Sequence, residues 1–177
     1  MQNVVDNIRN TIKNQFDIAW SLLEIHLNEL GDEECLWKPS TRGLGVEKKY
    51  EQWHPDLPES EGYKIGPPNI AWLTWHIIFW WSMVLDYSFG NGTLKQEDIF
   101  WSGSMIDTKN TIIQLYKNWN DKLTTLSDED FVSIERTKWP LENKPFYELA
   151  AWLNLELMKN AAEIGYCRFL YATRKNI

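Results

Sequence analysis

Cysteine is scarce in this chain: Cys35 and Cys167 are the only two among 177 residues, far apart and in no CxxC spacing. That argues against a disulfide framework and a thiolate metal site, and it fits a reducing cytoplasm. Clusters of Lys and Arg are missing too. With a net charge of -7 the chain lacks the basic surface that tracks phosphates, which disfavours a nucleic-acid partner. No apolar run reaches the ~20 residues of a membrane span. The longest, around Ile70 to Leu85, is interrupted by Thr74, His76 and Ser82, and the N-terminus is polar where a signal peptide would be apolar. A soluble protein is expected. Strand-like alternation of any length is lacking, as are the GxSxG elbow, the P-loop and the GxGxxG fingerprint. Histidine occurs three times, so a metal site built from imidazoles has little to draw on.

What the chain has in abundance is tryptophan, 11 residues, with aromatics at 14%. That exceeds the needs of a core, so Trp side chains are expected to line a pocket or interface as well as to pack. The length suits a single domain, 1–177, that buries a core without staples. Val5, Ile8, Ile12, Phe16, Ala19, Leu23, Leu27 and Leu30 recur every three or four residues, one stripe of a long helix that Gly31 would end. From Trp37 to Pro68 the periodicity is lost, and Pro and Gly punctuate a long loop that is either a lid or a surface excursion. Asn69 then caps a second helix with Ile70, Leu73, Ile77, Trp80, Val84 and Tyr87 on one face. A third runs through Ile106, Ile113, Tyr116, Leu123 and Leu126, and a fourth from near Pro145 to about Thr173. The expected fold is all-α, a four-helix bundle with a long loop between its first and second helices.

One imidazole, His76, sits inside the apolar and aromatic run from Asn69 to Trp81. Burying it without a partner would cost roughly 1–3 kcal/mol, so His76 is expected to be hydrogen-bonded, to bind a metal or to face a cavity. The last helix carries Glu156, Asn160 and Glu163 at i, i+4 and i+7, with Lys159 four residues before Glu163. Such a stripe is either an outer face or a pocket wall, and its three members are the candidate partners of His76. His54, in the long loop, is a candidate for closing over a pocket that Trp72, Trp75 and Trp53 would wall. His26 reads as a surface or packing residue, and Cys167 as a core thiol.

The Gly-Pro-Pro loop followed by Ile-Ala-Trp-Leu-Thr-Trp-His-Ile at 70–77, the order of helices, and Ala-Ala-Glu-Ile-Gly-Tyr at 161–166 make the chain resemble the DinB-like superfamily of four-helix bundles over nearly its whole length. The resemblance implies a three-histidine site for a divalent metal, with one ligand on the second helix and two at i and i+4 on the last, the second shortly before a glycine. It also implies thiol-linked small molecules as substrates in some members, and a homodimer. His76 matches the second-helix ligand. With Gly165 set on the family's glycine, Lys159 and Glu163 stand where the two last-helix histidines belong. A protonated lysine has no lone pair, so no cofactor is expected; the alternative is nickel or zinc on His76 and Glu163. Without a metal, Lys159 would instead pair with Glu163 and set its ammonium where the metal's charge would have been. The expected function is a cytoplasmic, small-molecule-binding or stress-related bundle with a degenerate metal site, its pocket drawn from His76, Glu163, Lys159, Asn160, Glu156, Trp72, Trp53 and His54. The alternative is a divalent-metal-dependent enzyme of the thiol-transferase or hydrolase type using His76 and Glu163. Neither a nucleic acid nor a membrane is expected as a partner.

Overall fold

A computed structural model describes residues 2–59 and 62–174, so the expected 1–177 span reaches beyond the described residues at both ends and at 60–61. Among the described residues the long helices are α1 (Gln2–Leu27), α3 (Ile70–Phe89), α4 (Met105–Thr125) and α6 (Phe146–Thr173), with the short α2 (Asp32–Leu36) and α5 (Asp128–Val132) between them. The fold is the expected all-α bundle.

Cross-helix contacts set the directions. Asn154 Nδ2 donates to Ile12 O and Arg168 Nη1 to His26 O, both at 2.9 Å, so α1 and α6 run parallel. Phe89 packs edge-on against Phe146 at 5.6 Å while Cys167 Sγ reaches Pro68 O, so α3 opposes α6. Arg9 Nη1 donates to Leu123 O at 2.9 Å and Trp20 stacks on Tyr116 at 4.0 Å, so α4 opposes α1. The order is therefore up, down, down, up. Because α3 and α4 point the same way, the chain between them must travel back along the bundle. It does so against α3: Trp75 Nε1 donates to Ile99 O at 2.8 Å, and Trp101 Nε1 to Thr74 Oγ1 at 3.1 Å.

That return strand of chain explains a departure from the one-faced helix expected after Asn69. Every residue from Ile70 to Phe79 is buried, because the return segment covers the side of α3 that the bundle leaves open. The abundance of tryptophan goes largely into this core. Trp75, Trp81, Trp101 and Trp119 are fully buried. At ~150–250 Å² per aromatic side chain and ~25 cal/mol per Å², each contributes a gross burial term of about 4–6 kcal/mol.

Two local expectations are corrected. The first helix ends at Leu27, not Leu30, because Glu29 adopts a left-handed φ of 56° and reverses the chain; Gly31 instead heads α2. The segment from Trp37 to Pro68 is not uniformly irregular: β1 (Val46–Lys49) and β2 (Gln52–Pro55) form an antiparallel hairpin in which Val46 faces Pro55 and Lys49 faces Gln52. Its sequence carries no strand signal, because Glu47, Lys48 and Lys49 are all exposed and leave no alternation. The hairpin base is closed by Asp56 N donating to Gly45 O at 2.9 Å, and it is fixed to the return segment by Trp101 N donating to Trp53 O at 3.0 Å. On α6, Phe169 lies on the outer face and is 72% exposed. No helix among the described residues is long and apolar enough to cross a membrane.

Candidate functional site

Asn69 starts α3 as the sequence suggests, its Oδ1 accepting the Trp72 N–H at 2.9 Å. That start sets the phase of the helix, and Trp72, His76 and Trp80 fall four residues apart on one stripe. His76 is 4% exposed and both ring nitrogens are engaged. Trp80 Nε1 lies 2.9 Å from His76 Nε2. An indole N–H only donates, so Nε2 carries the lone pair and the proton belongs to Nδ1. Nδ1 in turn lies 3.0 Å from Asn160 Oδ1. The amide is oriented for this by its other end, where Asn160 Nδ2 donates to Glu156 O at 2.7 Å. Above the imidazole, the Trp72 ring stacks at 4.7 Å and 18°.

The last helix departs from the expected pairing. Lys159 Nζ sits 2.8 Å from Glu156 Oε2, one turn back, and not on Glu163. The contact is an ion pair without hydrogen-bond angles, since Oε2 accepts no hydrogen bond despite that distance. Glu156 is half-buried and lines a small cleft with Trp80, Leu157 and Asn160, while Lys159 is exposed one turn on. Glu163 is half-buried and one turn ahead of Cys167. Burial, and then the Glu163 charge, push the Cys167 thiol up to about 11.

The predicted residues do not share one pocket, and Glu156 and Asn160 line only a small cleft with Trp80 and Leu157. Lys159 and Glu163 line a cavity of about 390 Å³ with Leu44, Tyr63, Pro67 and Pro68. His76 lines a separate one of about 260 Å³, and Trp72 borders both. Trp53 and His54 line neither; Trp53 packs edge-on against Trp101 at 5.4 Å, and His54 against Phe100 at 5.0 Å, both bracing the hairpin to the return segment. The pocket at His76 is mostly aromatic. Trp75, Phe79 and Trp80 come from α3, Trp139 from the connector before α6, Gln96 from the return segment, and Asp56 and Pro58 from the end of the hairpin. Sequence reasoning missed Phe79, Trp80, Trp139, Asp56, Pro58 and Gln96 as lining residues. For Trp80 a signal existed, its four-residue spacing from His76; for Trp139 and Asp56 only the path of the loops could tell.

His26 also has a defined place. It is half-buried against α6, where a Cβ on Gly165 would stand 2.5 Å from His26 Nε2. Burial and the Arg168 guanidinium hold its pKa below the ordinary value.

A divalent metal of the kind the resemblance implies needs converging lone pairs, and this arrangement does not offer them. The His76 lone pair receives the Trp80 N–H, the Lys159 ammonium has none, and Glu163 lies on the other pocket. Among the described residues no three His, Cys, Asp or Glu side chains are grouped so as to hold a metal ion. The donor set does not fit the group, whereas the bundle does fit the resemblance. No curated protein and no solved structure matches the chain. The family model of the DinB superfamily matches residues 15–164, from the second half of α1 to the middle of α6 and with His76 and Glu163 inside the match, and the chain therefore belongs to the DinB superfamily.

Proposed function

We propose that this chain is a small-molecule-binding member of the DinB superfamily that works without the family's metal, its ligand held in the aromatic pocket beside His76. The observation that carries the reading is the hydrogen bond from Trp80 Nε1 to His76 Nε2, 2.9 Å long, which commits the lone pair that a metal would use. The pocket suits a ligand: its walls are apolar rings, and a few polar groups, His76, Gln96 and Asp56, converge on it. His76 then acts as a rigid wall and not as a base, since its acceptor nitrogen is already occupied.

Metal analysis of protein purified without a histidine tag, followed by nickel and zinc titration of wild type and His76→Ala, tests this reading. No stoichiometric metal in either protein is expected. Stoichiometric uptake by the wild type that His76→Ala abolishes would overturn it in favour of a metal-dependent thiol transferase or hydrolase using His76 and Glu163.

A further inference from the structure

The rings around the His76 pocket meet at wide angles. Trp72 and Phe79 lie at 18° and 25° to the imidazole and Trp75 at 42°. Trp80 and Trp139 are 28° apart with centroids at 5.0 Å. They meet the other rings steeply, at 79° between His76 and Trp80, 82° between Phe79 and Trp139 and 56° between Phe79 and Trp80. Aromatic faces carry the negative part of the ring quadrupole, so rings meeting in a corner favour a cation between them. The charge at the mouth has the complementary sign. Asp56 is exposed there, with Oδ2 held 2.8 Å from the Gly45 N–H, and neither Lys nor Arg lines this pocket.

The chemistry of the walls narrows the cation further. A metal ion or a primary ammonium surrenders strong hydration on entry and needs oxygen or nitrogen acceptors in exchange. Here the His76 acceptor is taken by Trp80, which leaves Gln96 and the Asp56 carboxylate, one oxygen of which already receives the Gly45 N–H. An ammonium whose hydrogens are replaced by methyl groups spreads its charge over an apolar surface and asks for ring faces instead.

We propose that this pocket binds an N-methylated ammonium head group, its methyl groups against Trp72, Phe79, Trp80 and Trp139 and its charge balanced by Asp56. The proposal rests on the reading that a small molecule occupies the His76 pocket, and it adds the class of that molecule. A head group of this kind occurs on free solutes and on lipids, so both sources belong in the test.

Tryptophan emission and calorimetry on the full chain would compare choline with dimethylbutanol, which replaces the quaternary nitrogen by carbon and keeps the shape. Choline is expected to bind saturably, and dimethylbutanol about tenfold more weakly, the scale of a desolvated cation–π contact. Asp56→Asn, which keeps an acceptor for the Gly45 N–H, should weaken choline severalfold and leave dimethylbutanol unchanged. Trp139→Leu, at the half-exposed rim, should weaken choline as well. Flotation with phosphatidylcholine vesicles separates the sources: choline binding without flotation supports a free solute, and flotation blocked by choline supports a lipid head group. Equal affinity for choline and dimethylbutanol overturns the cation and leaves the small-molecule reading standing. Failure of choline, dimethylbutanol and the uncharged aromatic indole to bind overturns both.

Discussion

The Trp80 N–H and the Asn160 amide act on His76 from opposite sides, and together they hold one tautomer. Nitrogen-detected NMR of the histidines should find the His76 proton on Nδ1 and an unprotonated Nε2; a proton on Nε2 would contradict the hydrogen bond from Trp80. Asn160 is 1% exposed, so replacing it removes the acceptor that faces the His76 Nδ1–H inside the core. Asn160→Leu should destabilise the protein by about 1–3 kcal/mol in urea unfolding, the usual cost of an orphaned buried donor. A change well under that range would mean that the imidazole had found another partner. The sequence already marked His76 as a residue that must be satisfied, and it named Asn160 among three candidates. It could not choose, because the choice depends on the rotation of α6 against α3, which no spacing within either helix encodes.

Helix ends and close approaches govern the next scale. Asn69→Ala removes the acceptor of the Trp72 N–H, and a loss of about 1 kcal/mol is expected from the cap. Gly165 offers a sharper test. An added Cβ would meet His26 Nε2 at 2.5 Å, yet alanine is the better helix former by about 1 kcal/mol. Gly165→Ala should therefore be neutral or destabilising in the wild type, and stabilising once His26→Ala has cleared the space. A double-mutant cycle by thermal unfolding reads the difference, and additive effects would show that the two helices do not meet as described. These element-level features were legible in part. Asn69 reads as a cap from the sequence, but the partner that crowds Gly165 is His26 on α1, 139 residues earlier.

For the molecule as a whole, the two thiols report on the integrity of the bundle. Cys35 and Cys167 are both buried, and burial raises the pKa of each. At pH 8 neither should react with an alkylating reagent in the native protein, and both should react once it is unfolded. Cys167 carries a pH dependence whose sign follows from linkage. Its pKa is raised from 9.0 to about 11 in the folded protein, so its contribution is fully present below pH 9 and is lost as pH rises through about 11. Urea midpoints measured across that window should fall in the wild type and fall less in Cys167→Ala.

By itself the sequence determined the helical class, the four long helices, the cap at Asn69 and the oddity of His76, because each follows from periodicity or from the cost of burying a polar group within one element. It also carried the family resemblance and, through it, the expectation that Lys159 and Glu163 stand at the last-helix ligand positions. Tertiary structure decided what those residues do. The parallel α3 and α4 force the chain back along the bundle, and that return path, with the hairpin fixed to it, carries Asp56 and Gln96 to the edge of a pocket whose wall Trp139 completes from the connector before α6. Lys159 turned to Glu156, and Glu163 fell on the far side of Trp72, because packing between helices, and not spacing along one of them, sets which polar groups share a cavity.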